Sequence, residues 1–404
     1  MRKAAWVIPS FIEGSGGYRT VFQHVNVMST EFECDVYVYN SGDYRSDEEL
    51  EQNATRLYGE CNCRFHLGYD ISLEIPYDLI IATAWMTAEI VYRYKGPAKK
   101  VYFVQDYEPM FYPVGNQYLR AAGTYELGFY HITIGRWLAK KLKEEHCAKA
   151  AYFDFCADKK IYFSNKNQNR EKAICFIYQP DKPRRGAEIG LEALTLVKKI
   201  RPDVTVYLYG SKEKFKIPFE HSNLGLVSLQ QCAELYNKCS VGLCISATNP
   251  SRIPFEMMAC GLPVVDVFSN NNLYDFAENT ITLAQCRPES LAQAVINLLD
   301  NQESNRKISE QEQMFMSDRD INVGLGQFMK CIQGVLEGQD ELFQKEEPAL
   351  TYQGEPIIAG EEVQELRNEI VATENNDWYS KIKRITWIRR IPGVKCIKKV
   401  LRVE

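Results

Sequence analysis

The chain has 404 residues, 45% of them hydrophobic and 25% charged, and a net charge of −5. That length is too great for one ordinary core and suits two lobes of roughly 150 residues each, with extensions. The charge balance gives no general reason to expect nucleic acid, no run approaches the roughly 18 uninterrupted apolar residues of a membrane span, and the opening MRKAAWVIPSFIEG turns polar too quickly for a secretory signal.

Strand-like runs rich in β-branched and aromatic residues come first: AAWVI (4–8), CDVYVYN (34–40), DLIIATA (78–84), KVYFVQ (100–105), YHITI (130–134) and AAYFDF (150–155). Helix-like runs alternate with them, which predicts a parallel sheet covered by helices on both faces. In the helix after the first run, Tyr18, Val21, Phe22 and Val25 share one stripe, while His24 lies off it and reads as a solvated position. Further on, Cys61, Cys63 and His66 form C-x-C-x-x-H without a second ligand pair, so no metal is expected there. Scattered cysteines inside apolar runs (Cys34, Cys175, Cys244, Cys260) read as reduced thiols, which favours the cytoplasm.

The polar stretch SNKNQNREK (164–172) reads as an interdomain linker. The alternation then restarts with KAICFIY (172–178), TVYLYG (205–210), VGLCIS (241–246) and LPVVDV (262–267). The expected division is 1–165, 166–340 and a tail over 341–404, acidic at first and then basic. In the tail Trp378, Ile382, Ile385 and Ile388 would share a helical face, interrupted by Lys381 and Arg389 and ended by Pro392. A basic stretch with tryptophans suggests peripheral contact with an anionic membrane, a partner-binding tail being the alternative.

The turn GSGGYR (14–19) decides between ligands. A dinucleotide fingerprint needs G-x-G-x-x-G and an acid after the second strand. Here Gly14 and Gly16 are followed by Arg19 at the third position, and the second strand ends at Tyr39 and Asn40, which argues against a nicotinamide enzyme. Gly16 and Gly17 open a helix, whose free N–H groups favour an anion.

Together with that turn, NPSRIPFEMMACGLPVV (249–265) and the runs before it resemble the glycosyltransferase family 4 type of GT-B enzyme over roughly residues 4 to 335. The stretch YFVQDYEPMFYPVGNQYLRAAGTYELGFYHITIGRWL (102–138) is similar to bacterial rhamnosyltransferases that build surface glycans from dTDP-L-rhamnose. The resemblance implies an α/β GT-B fold of two Rossmann-like, doubly wound domains facing a cleft. The donor would lie on the second lobe and the acceptor on the first, with no cofactor beyond the nucleotide sugar and no metal.

By the same resemblance Glu256 matches the second glutamate of an E-x7-E motif that holds donor hydroxyls, and Thr248 stands where the first would be. Ser251, Arg252 and Ile253 match the diphosphate loop, and Lys182, Arg184 and Arg185 in YQPDKPRRG match the cations that meet the leaving diphosphate. Asp106, behind Gln105 in the position of a His-Asp pair, and His131 are implied in catalysis. Arg136 is implied at the donor, and Gly16, Gly17, Tyr18, Arg19 and Tyr107 at the acceptor side. The resulting expectation is a cytoplasmic retaining transferase moving L-rhamnose to a surface polysaccharide or lipid-linked glycan. The alternatives are a hexosyltransferase using a UDP- or GDP-sugar, or an inactive GT-B binding or scaffold protein.

Overall fold

A computed structural model describes residues 1–384 except 73, 166–168, 213–216 and 346–348, with side chains described up to residue 373. It divides into a unit of residues 1–358 and a second of 359–404. The expected tail residues Trp378, Ile382, Ile385, Ile388, Lys381, Arg389 and Pro392 lie outside the described side chains.

In chain order the first part runs β1 (Arg2–Ile8), α1 (Gly16–Met28), β2 (Phe32–Val38), α2 (Asp47–Tyr58), β3 (Arg64–Leu67), β4 (Leu79–Ala82), α3 (Trp85–Arg93), β5 (Lys99–Val104), α4 (Asn116–Gly123), β6 (Tyr130–Ile134), α5 (Arg136–His146) and β7 (Lys149–Phe153). The second part runs β8 (Ala173–Ile177), α6 (Ala187–Ile200), β9 (Thr205–Tyr209), β10 (Ser222–Asn223), α7 (Leu229–Lys238), β11 (Val241–Leu243), α8 (Arg252–Ala259), β12 (Val264–Val267), β13 (Thr282–Ala284) and α9 (Pro288–Asp300). Four helices follow: α10 (Gln302–Phe315), α11 (Ile321–Glu337), α12 (Asp340–Gln344) and α13 (Glu361–Arg384), the last beginning with Glu361 and Glu362.

Two parallel sheets result, ordered β3-β2-β1-β4-β5-β6-β7 and β10-β9-β8-β11-β12-β13. Their central strands are buried on both faces, which is why the sequence shows continuous apolar runs there rather than alternation. Three edge strands were not among the expected runs: β3 has four residues, β13 three and β10 two.

Packing does not follow the expected linear division. Helix α11, from the far end of the unit, lies against the first sheet, where Phe328 is fully buried and touches Trp6, with ring centroids 6.1 Å apart, and Phe103, at 5.6 Å. That covering also overturns the solvated reading of His24. Its ring sits among Phe103, Phe153 and Phe328, 1% exposed, and burial pulls its pKa down to about 3. Further along, Phe343 of α12 is buried against Tyr130, and Ile357 bridges to Ala284 at the edge of the second sheet. Phe343 and Ile357, in the stretch expected as tail, therefore pack with the two sheets. Arg170, in the expected linker, donates to the carbonyls of Tyr236, Cys239, Cys260 and Gly261 at 2.6–2.8 Å.

Candidate active site

The carboxyl ends of the two sheets meet at a cavity of about 360 Å³, where ligands of open parallel sheets bind. From the first sheet it receives Gly14 to Gly17, Arg19 and Thr20 at the start of α1, Thr83 after β4, and Gln105, Asp106, Glu108 and Phe111 after β5. From the second come Lys182, Arg184 and Arg185 after β8, the β9 end at Tyr209 and Gly210, and Asn249 to Ile253 with Glu256 at the start of α8. Gly14 turns the chain with φ +72°, and a Cβ at Gly16 would meet nothing within 4 Å. Open cleft, rather than protein, thus borders Gly16, so a ligand can approach its backbone.

The second-lobe wall is cationic. Arg184 lays its guanidinium 4.4 Å from the Phe111 ring centre, across the cleft, and its Nε lies 3.6 Å from Asp106 Oδ2. The Nε atoms of Arg184 and Arg185 are buried without a hydrogen-bond partner among the described residues. Burial, with Arg184 next in effect, pulls the Arg185 pKa down, and burial does the same to Lys182. Ser251 caps α8 in an extended conformation with no side-chain cap bond, which leaves the first-turn N–H groups available. Arg252 reaches back to α1, donating to Gln23 Oε1 at 2.7 Å and Thr20 Oγ1 at 3.3 Å. One turn on, Glu256 is 7% exposed and holds its carboxylate 4.0 Å from Arg252 Nε.

The first-lobe wall is acidic and its carboxyls are occupied differently. Asp106 Oδ1 accepts from the backbone N–H of Tyr107 at 2.9 Å and of Asn249 at 3.0 Å, while Oδ2 accepts from the Thr248 hydroxyl at 2.9 Å. Asn249 in turn donates through Nδ2 to the carbonyls of Gln105 and Ile134. Asp106 therefore ties the β11–α8 loop to the end of β5. Glu108 lies in a short 3-10 turn two residues on, 8% exposed, accepting from the Trp85 backbone N–H at 2.8 Å. Burial, reinforced by Asp106, pushes its pKa up to about 8 against the pull of the Trp85 bond.

Of the expected site residues, Gly16, Gly17, Arg19, Asp106, Lys182, Arg184, Arg185, Ser251, Arg252, Ile253 and Glu256 line this one cavity. Five others do not. His131 lies in the doubly covered β6, fully buried, with Nδ1 against the Lys149 carbonyl at 3.2 Å. Arg136 caps no ligand: its Nε donates to Asp154 at 3.1 Å and its guanidinium lies over Tyr152. Tyr107 turns away after the strand to bond His146 at 2.9 Å. Tyr18 packs on Phe11 and Tyr58, and Thr248 spends its hydroxyl on Asp106. In each case a neighbour distant in sequence claims the side chain. Asn249 enters the cavity without having been expected to, and Glu108 does so with no role read for it. Its only sequence signal was an acid just past a strand's carboxyl end.

Residues 60–136 match the family described as WsaF, N-terminal domain, and residues 172–296 match WsaF, C-terminal domain. An O-antigen biosynthesis protein RfbC of Myxococcus xanthus is 30% identical over 310 residues, 74% of this chain, and the chain spans about a quarter (24%) of that relative's length. Among solved structures, the sucrose-phosphate synthase of Thermosynechococcus elongatus superposes with a TM-score of 0.66 at 13% identity, covering 83% of this chain and all (100%) of that one. HepE of Anabaena, solved in complex with UDP and glucose, gives 0.64 at 15%, covering 82% and 100%. Two facing parallel sheets with such neighbours define the class, a fold of the GT-B glycosyltransferases. The sequence matches add, a step further, the N- and C-terminal WsaF domains and a relative named as an O-antigen biosynthesis protein.

Proposed function

We propose that this chain is a retaining, metal-independent glycosyltransferase that moves L-rhamnose from dTDP-L-rhamnose to a surface polysaccharide or lipid-linked glycan, working in the cytoplasm. The observation that carries the reading is the cationic wall, in which Lys182 and the half-buried pair Arg184 and Arg185, their Nε atoms without a partner among the described residues, stand beside the start of α8. Crowding three partly desolvated cations together is costly unless an anion completes them, and a nucleoside diphosphate has the required charge and size.

In this reading Lys182, Arg184, Arg185 and the N–H groups of Arg252 and Ile253 receive the diphosphate, and Glu256 accepts hydrogen bonds from ribose or sugar hydroxyls. Gly16, Gly17 and Arg19 border the acceptor. The bond between the anomeric carbon and the diphosphate oxygen breaks with its electron pair leaving on the nucleotide, and the acceptor oxygen bonds to that carbon from the same face. The acceptor proton passes to the departing phosphate, whose growing charge the arginines stabilise. The rhamnose assignment is supported by the similarity of residues 102–138 to rhamnosyltransferases.

A thermal-shift panel of dTDP-L-rhamnose, UDP-sugars and GDP-sugars tests the reading on the wild type and on Glu256→Ala. The expected outcome is stabilisation of the wild type by the thymidine donor, with at least tenfold weaker binding in the variant, a loss of about 1.4 kcal/mol. Stabilisation by a UDP- or GDP-sugar alone would move the donor assignment, and no shift with any nucleotide would sink the reading.

A further inference from the structure

Glu108 is a buried carboxyl in the cleft for which the donor chemistry has no use. It stands on the first-lobe wall, 8% exposed, with one oxygen bonded to the Trp85 N–H at 2.8 Å and the other 3.4 Å from the Tyr102 hydroxyl. Its own backbone N–H donates to the Tyr125 hydroxyl at 3.2 Å, so its position is fixed from two sides. Thr83 and Phe111 also line the first-lobe side of the cavity, the Thr83 hydroxyl donating to the Val7 carbonyl at 3.0 Å and the Phe111 ring offering an aromatic edge suited to a saccharide.

We propose that Glu108 is the acceptor-recognition residue of the cleft, binding an acceptor hydroxyl as hydrogen-bond donor and acceptor at once. This rests on the glycosyl-transfer reading above. The groups facing Glu108 are Tyr102, Tyr125 and Tyr18, the like charge of Asp106, and Arg184 from the second lobe. Burial and Asp106 outweigh Arg184 and hold its pKa near 8, so at neutral pH the acid form is the one that meets the acceptor. That form can donate, and a carboxylate cannot. Glutamine, which also donates and accepts at the same reach, should therefore substitute for it, and alanine should not.

The test measures release of nucleoside diphosphate from dTDP-L-rhamnose or UDP-glucose with methyl α-L-rhamnoside as acceptor probe, across pH 6 to 9, for the full-length wild type, Glu108→Gln and Glu108→Ala. Nucleotide thermal shifts are recorded on the same three proteins. The expected result is a tenfold or greater rise of acceptor KM in Glu108→Ala and a wild-type acceptor KM that rises above pH 8. Glu108→Gln should keep a KM within about threefold of wild type, without the alkaline rise. All three proteins should show equal nucleotide shifts. Loss of turnover in Glu108→Gln would overturn the proposal in favour of a general base, and an unchanged KM in Glu108→Ala would overturn it outright. Nucleotide shifts lost only in the Glu108 variants would also overturn it, by making the residue part of the donor site. Nucleotide shifts absent from all three proteins would strike the glycosyl-transfer reading instead.

Discussion

Asp106 shows how a side chain's partners, rather than its type, assign its work. Three donors and an arginine surround its carboxylate, and two of the donors come from Thr248 and Asn249 on the opposite wall. Asp106→Ala should cost roughly 1–3 kcal/mol in urea unfolding, because it leaves buried donors unpaired. Its nucleotide shift should shrink too, as the Asn249 loop loses its tie. Glu108 makes a pH prediction with a definite sign. Its folded pKa of about 8 stands above the unfolded value of about 4.3, so its contribution is fully present at the acid end and is lost as pH rises through the folded value. Relative to Glu108→Gln, wild-type stability should therefore fall between about pH 5 and pH 8 and then level off, as read by thermal unfolding. Both residues were visible as acids past a strand end, but their occupancy was not, because the partners sit on elements far away in sequence.

Helices carry the next level. The start of α5 has no cap from its own chain neighbours, since its first residue follows Gly135, and Asp275 from the second lobe supplies one instead. Its two oxygens accept from the Arg136 N–H at 2.7 Å and the Trp137 N–H at 3.2 Å. Asp275→Ala should cost about 1 kcal/mol, the usual effect of losing a cap, in the same unfolding measurement. Helix α11 has the larger role. Phe328→Ala should destabilise by roughly 3–5 kcal/mol, because it opens a cavity beside Trp6 and Phe103 in the first sheet's core. Periodicity placed α1 from its apolar stripe. It said nothing of where α11 would pack, because an amphipathic stripe specifies that a helix is covered and not by what.

At the scale of the molecule, residues 1–358 hold both sheets and every residue of the cavity. Removing residues 359–404 should leave the nucleotide-dependent thermal shift unchanged within error. A lost shift would show that the tail takes part in donor binding. The two walls are joined by polar ties, the Asp106 cluster, the Asp275 cap and Arg252 to Gln23, and by apolar packing in which the Phe155 and Phe255 rings stack with centroids 4.6 Å apart.

The sequence by itself determined the α/β alternation and ten of the thirteen described strands, because parallel-sheet periodicity is a local property of a chain, whereas the grouping of the glycine turn, the basic loop and the Glu256 helix came from a family resemblance. Tertiary structure alone decided that the side chains of His131, Arg136, Tyr107, Tyr18 and Thr248 are claimed by protein neighbours and do not line the cavity, and that Glu108 and Asn249 do. Burial and hydrogen-bond partnership are set by residues tens to hundreds of positions away, and no local pattern encodes them.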